Sequence, residues 1–300
     1  MRKVAFPAIS RAMAVAAALV GGAASAAWAQ DDIGDPYDTG KPLWEIEALM
    51  IGGYEPDYPG SNQMHAHILP VPWFVYRGDY LRTDDRGTVE GLLLQSKRFT
   101  FDISAKVSFP SEANDLARAG MPQLDYLGEV GPRAKLGLYY WQNAATGRLA
   151  TLQLEVPVRA AISTNLTSLA YRGFDAQPAL AYTDSRFLNT PARWKLSVGP
   201  IFASQALMNY YYAVPAEYAT AVRPAYAAKA GYMAGDVHTS LEFPIFDRIN
   251  VLGSVDYYAM SGAANAGSPL MTAKSNISFM SAISISLYQS SARATRERGN

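Results

Sequence analysis

Three histidines, His65, His67 and His238, are the side chains best suited to proton chemistry near neutral pH in this chain. Ser61 and Asp57 precede the first two, and Asp84 and Asp85 form an adjacent carboxylate pair. A serine hydrolase needs a hydroxyl with a general base in hydrogen-bond reach, and a metal hydrolase needs at least three protein ligands. His65 and His67 stand two apart, so on a strand they share a face and could offer two nitrogens to a metal. No third ligand has a recognisable spacing, and neither G-x-S-x-G nor H-E-x-x-H occurs. Asp84-Asp85-Arg86-Gly87 reads more simply as a turn. The expectation is a non-enzyme with no catalytic residues, no metal and no cofactor, whose histidines make hydrogen bonds. A hydrolase built on these histidines is the sharpest competing reading.

A second polar set follows a different logic. Asp102, Lys106, Glu129, Arg133, Lys135, Glu155 and Arg159 lie in runs where every other residue is apolar. From Gly128 to Tyr140 the even positions are Gly, Val, Pro, Ala, Leu, Leu and Tyr, and Glu129, Arg133 and Lys135 fall between them. Leu152–Ile162 repeats the pattern around Glu155 and Arg159, and Arg98–Ser108 repeats it around Asp102 and Lys106. Side chains alternate faces along a strand, so each run has an apolar face and a charged face. A soluble sandwich shows the same alternation. These runs exceed the ~5–6 residues of an ordinary strand and match the ~9–11 that a tilted strand needs to cross a bilayer.

Hydrocarbon cannot satisfy backbone N–H and C=O groups, so such strands cross only as a closed ring, apolar side outward. The fold expected is all-β: a closed antiparallel transmembrane β-barrel of about 12 strands, with 10–14 as the range. The seven charges then line the lumen. Their mixed signs suit a plugged or weakly selective interior better than an ion-selective pore. About twelve strands lies between filled eight-stranded and open sixteen-stranded barrels, so a porin-like small-solute path is the second reading.

Residues 1–29 read as a signal peptide: Arg2, Lys3 and Arg11, the apolar stretch Ala12–Val20, then Ala27-Trp28-Ala29. Cleavage would leave a chain starting at Gln30 or Asp31. Residues 30–43 read as a periplasmic N-terminal arm, 44–289 as one outer-membrane barrel and 290–300 as a charged C-terminal tail. Cysteine is absent, which excludes a disulfide scaffold, a lipidated N-terminal Cys and a thiol nucleophile. Removing the leader's three basic residues (26 − 3) leaves 23 Lys+Arg against 26 Asp+Glu, with no basic block and no support for nucleic-acid binding. The 19 tyrosines suit membrane interfaces, where an apolar ring ends in a polar tip.

About thirteen segments read as strands, whereas bacterial barrels use even counts. Here Tyr226–Tyr232 is taken as a strand, and Val237–Ile245 is taken to fall short of a crossing. Loops at 52–63, 109–125, 163–173, 206–222 and 261–275 then share one end. No segment shows helical periodicity. Tyr210, Tyr211, Tyr212 and Tyr218, with Tyr58 and Ser61 from the first loop, would offer rigid aromatic area to a partner. The competing reading is a loop folded over the barrel mouth.

At Tyr54–Ser61 (YEPDYPGS), Leu69–Tyr76 (LPVPWFVY) with Arg77-Gly78, and Met121–Pro132 (MPQLDYLGEVGP), the chain resembles the MipA/OmpV family of outer-membrane proteins. The resemblance recurs at Gly199–Ser204 (GPIFAS), Asn209–Val214 (NYYYAV), Arg223–Tyr226 (RPAY) and Ser268–Leu270 (SPL). These motifs run in the family's order over nearly all of the expected mature chain. The resemblance implies an outer-membrane barrel among outer-membrane lipids in a Gram-negative cell. It further implies a scaffold between a periplasmic lytic transglycosylase and a murein synthase, although some relatives are osmotically regulated, adhesive or porin-like. It supplies no catalytic residues. The departure is at the C-terminus, where Gln289–Asn300 follows Tyr288, so the usual terminal insertion signal is either internal or missing.

Overall fold

The computed structural model describes residues 41–76, 81–83, 89–95, 98–111, 116–246 and 248–293. The leader, most of the N-terminal arm, Asp84 and Asp85, and the end of the tail lie outside them. The strands are β1 (Trp44–Pro56), β2 (Met64–Tyr76), β3 (Leu81–Thr83), β4 (Val89–Gln95), β5 (Phe99–Ser108), β6 (Tyr126–Asn143) and β7 (Arg148–Thr164). They continue with β8 (Leu169–Ala176), β9 (Ala179–Asp184), β10 (Arg193–Ala203), β11 (Gly231–Phe246), β12 (Ile249–Ala259) and β13 (Ser275–Gln289). One α-helix, α1 (Gln205–Tyr212), sits between β10 and β11.

The ladder is antiparallel from strand to strand, and β13 returns to pair with β1 over Glu45↔Gln289 to Tyr54↔Phe279. The path ends at β2 and β3, which lie side by side, so the sheet closes into a barrel. β8 and β9 both pair with β7 and β10. They are one crossing broken at Gln177-Pro178, where proline has no N–H to give the ladder. Gly199 lies opposite that break, and a Cβ there would come 2.0 Å from the Pro178 carbonyl oxygen. Thirteen strands with two in one crossing (13 − 1) make twelve staves among the described residues.

Burial is inverted relative to a soluble domain. Ile68 and Leu287 are 75% and 60% exposed, while Asp102 and Arg159 are 0% and 2% exposed. Along β6 and β7, Leu136, Leu138, Leu154 and Val158 face out, and Glu129, Arg133 and Arg159 are buried. Apolar side chains solvated by lipid lose nothing by being outside, so the alternation costs no stability in a membrane.

Aromatic residues ring the belt at both ends. At the short-turn end Trp44 stacks on Tyr288 (5.6 Å) and Phe74 (6.2 Å), and Trp194 meets Phe187 (5.0 Å) and Tyr182 (5.7 Å). Tyr288 thus belongs to this ring rather than to the tail. At the other end stand Tyr54, Tyr171, Tyr257 and Phe279, with Phe202 against Tyr232 (6.0 Å). Trp44 and Tyr54 are ten residues apart on one strand. At ~3.3 Å per residue and a tilt of ~40°, that spans about 25 Å, the height of an outer-membrane apolar band.

Four sequence expectations are corrected. β11 is a full crossing of 16 residues, so Val237–Ile245 does not stop short. The surplus strand was Tyr226–Tyr232: Tyr226 makes one isolated bridge to Val214, and only Gly231 and Tyr232 enter β11. Its alternation comes from Ala228 being buried in the mouth rather than from a pleat. The connection at 163–173 is only 165–168, because β7 runs to Thr164 and β8 starts at Leu169. The loop at 206–222 contains α1, whose Leu207, Met208, Tyr211 and Tyr212 form a buried helical stripe.

Candidate functional site

The lumen carries a chain of ion pairs that steps from strand to strand. Arg133 on β6 donates two hydrogen bonds to Asp102 on β5, Nε to Oδ1 at 2.9 Å and an Nη to Oδ2 at 3.1 Å. Lys135 reaches the same carboxylate at 3.2 Å. Arg133 also lies 3.9 Å from Glu155 on β7, and Lys195 on β10 reaches Glu155 at 3.2 Å. Nearer the long-loop end, Lys106 faces Glu129 at 3.8 Å, and Arg159 donates to Asp175 (2.7 Å) and Gln177 (2.9 Å). Gln177 in turn donates to Asp236 on β11. The seven charges expected in the lumen therefore join Asp175, Gln177, Lys195 and Asp236, which the alternation reading did not single out. Most of these pairs join neighbouring strands, and Lys195–Glu155 and Gln177–Asp236 each reach across one intervening strand, so together they brace the wall.

The mouth at the long-loop end is built from apolar side chains. Leu207, Met208, Tyr211 and Tyr212 of α1 pack with Tyr58, Leu124, Leu127, Ile201, Val214 and Leu270. Ser204 begins the helix, and its Oγ accepts from Phe174 N–H (2.9 Å), which ties α1 to β8. Gly173, at φ +104°, makes the approach possible: a Cβ there would meet Ser204 Oγ at 2.2 Å and Leu207 N at 2.9 Å.

Hydrogen bonds lock this cap to every long loop. Tyr58 donates to the Leu270 carbonyl (2.8 Å), Tyr212 to the Pro59 carbonyl (2.8 Å), and Ser268 to the Tyr212 carbonyl (2.7 Å). Arg118 donates to the carbonyls of Tyr211 (3.1 Å) and Pro122 (3.2 Å), and Arg223 to those of Ala117 and Ala119 (both 2.9 Å). Burial pushes the Tyr210, Tyr211 and Tyr212 hydroxyls up from their ordinary range, so they stay protonated.

These loops are where the recurring motifs meet. Residues 50–287 match the family of the MltA-interacting protein, MipA. The chain belongs to the MipA family. No curated protein sequence matches it. Among solved structures, the NanC porin aligns over 81% of this chain and 100% of its own, at 12% identity and a TM-score of 0.36. Outer membrane phospholipase A from Escherichia coli aligns over 81% and 94%, at 9% identity and a TM-score of 0.33.

In this MipA-family barrel the loop residues expected to meet a partner are mostly inside the cap. Tyr58 is 2% exposed and Tyr212 0%, and Ser61 and Tyr211 are also buried. They offer no surface in this conformation, which corrects the reading of an open aromatic loop. Tyr210 and Tyr218 are half-buried. Arg118, Arg223 and Ser268 were not anticipated as cap residues. The signal for the last two was their place in RPAY and SPL.

Two of the histidines face a carboxylate, and the third packs on an aromatic ring. His65 Nδ1 lies 2.8 Å from Asp57, and His238 Nδ1 lies 2.9 Å from Asp256. His67 stacks on Phe109 at 4.7 Å. Ser61 Oγ bonds Gln63 rather than His65. Ser197 is the cross-strand neighbour of His238, yet His238 Nε2 has no hydrogen-bond partner among the described residues. No group of three or more His, Asp or Glu is arranged for a metal among the described residues.

Outside the cap, an open groove of about 860 Å³ runs between α1, the segment after it and the start of β8. Tyr171, Arg172, Asn209, Tyr210, Pro215 and Tyr226 line it.

Proposed function

We propose that this protein is a non-catalytic outer-membrane scaffold that holds murein-processing enzymes at its periplasmic rim. The family match supports it, since its namesake is described as interacting with MltA. The observation that carries the reading is the cap. A mouth filled by α1 and fastened to three other loops suits a rigid plate better than a passage. The long loops face the cell exterior, as is usual for such barrels, and the short turns and both chain ends face the periplasm. Residues 1–29 direct export and are removed. The surface offered to a lytic transglycosylase or a murein synthase is then the short turns, the arm at 30–43 and the tail at 290–300.

The test is affinity capture of the tagged protein from detergent-solubilised envelopes. Co-purification of a murein hydrolase and a murein synthase is expected, and their absence from a folded sample refutes the scaffold. Planar-bilayer recording separates the porin-like reading: the capped barrel should give no steady single-channel current.

A further inference from the structure

We propose that the groove beside α1 binds the saccharide headgroup of a glycolipid in the outer leaflet. The inference uses the outward orientation of the long loops and is independent of any murein enzyme. Its first support is position. Tyr171 is 66% exposed and belongs to the aromatic ring at the long-loop end, and Leu169 and Phe174 beside it also face out. The groove therefore reaches the outer wall at Tyr171, within the aromatic ring of the long-loop end.

The second support is how the groove is built. The β7–β8 ladder pairs Ile162 with Tyr171 and Ala161 with Gly173, which leaves Arg172 as the extra residue of a bulge. Bulges re-aim side chains. Here the Arg172 Nε donates to Ser163 Oγ (2.8 Å), and the guanidinium lies over the Tyr210 ring at 4.6 Å, with Asp125 at 3.8 Å. Asp125 offsets its charge, so the groove is a hydrogen-bonding surface rather than an anion trap. Asn209 is held by accepting from Ala228 N–H (3.2 Å), which fixes its amide at the groove edge.

Chemistry supplies the third support. Tyr171, Tyr210 and Tyr226 bring aromatic rings to a groove that also carries an amide and a guanidinium. Pyranose rings have one apolar C–H face that packs on such rings and a rim of hydroxyls that pairs with planar polar groups. The volume lies within the ~300–1,000 Å³ of small-molecule sites. A free sugar has the same chemistry. The outward-facing Tyr171 at the groove's edge, flanked by Leu169 and Phe174, favours the membrane-borne one.

The test uses the purified barrel in nanodiscs containing lipopolysaccharide with a full core, lipopolysaccharide truncated to its innermost sugars, or phospholipid only, with released core oligosaccharide added to the last. Full-core glycolipid should bind, and the truncated form should bind about tenfold more weakly. Tyr171→Ala should lose about tenfold, and Tyr171→Trp, which keeps a ring face, should retain binding. Because Tyr171 is exposed, both variants should fold, as their heat-dependent gel mobility would report. Equal binding of the truncated glycolipid, or unchanged binding by Tyr171→Ala, overturns the site. Free oligosaccharide binding as tightly as full-core glycolipid overturns the membrane-borne occupant.

Discussion

The middle of the lumen and its mouth both bury side chains, of opposite kinds. In the middle, charged side chains from β5, β6, β7, β8 and β10 are buried in pairs, and Asp236 on β11 accepts from Gln177. At the mouth, leucine, methionine and tyrosine side chains of α1 make a small core like that of a soluble protein. A charge pair tolerates no missing member, because the survivor is left desolvated and unmatched. An apolar core loses stability by degrees as its packing loosens. The wall should therefore fail abruptly and the cap gradually.

The sharpest way to break that contrast is Asp102→Ala. It removes the carboxylate that Arg133 and Lys135 share and should cost about 3–5 kcal/mol of barrel stability, read as the urea midpoint in detergent. A loss below about 1 kcal/mol would mean that the lumen is wet around these groups. Gly173→Val comes next. A β-branched residue at φ +104° that also meets the first turn of α1 should cost about 1–3 kcal/mol, confined to the cap. Hydrogen exchange should rise across 204–230 while the barrel midpoint holds. Loss of the barrel itself would show that mouth and wall are one cooperative unit.

Alkaline pH should separate the two regions more gently. The Tyr211 and Tyr212 hydroxyls are raised by burial above the value near 10 that they have when unfolded. The stability tied to them is complete below about pH 10 and falls as pH climbs beyond it, because the unfolded chain then releases protons that the cap retains. Cap protection should decline above that point and stay flat from pH 7 to 9. The smallest effect is that of salt. In 1 M NaCl the Debye length is ~3 Å, and buried pairs are screened little, so the barrel midpoint should move by less than about 0.5 kcal/mol. A large drop would place the pairs in solvent.

The wall was far more legible than the cap. Alternation in β5, β6 and β7 is a local property, and it put Asp102, Arg133 and Arg159 on one face without any knowledge of their neighbours. The pairing itself was hidden: Lys195 reaches Glu155 across 40 positions of sequence, over the stave broken at Pro178. The cap rests on still longer separations. Tyr58 bonds a carbonyl 212 residues away, and Tyr212 one 153 residues away. α1 has only eight residues, too few for a period to emerge, and its three consecutive tyrosines blur the one there is. Two of them turn inward, a choice made by Gly173 and Ser204 on other elements.

The barrel is sealed by strands from its two extremes. β1 pairs with β13, Leu43 N–H reaches the Ala292 carbonyl at 2.8 Å, and Pro42 bridges Arg293. Until the final strand arrives, Trp44–Pro56 and Ile249–Ala259 each keep a naked edge of unpaired amides that oil cannot solvate. Insertion must therefore wait for Ser275–Gln289, and until that strand is in place two sticky borders have to be shielded at once. A product that stops before Ser275 would be stranded outside the bilayer, as a substrate for aggregation or proteolysis.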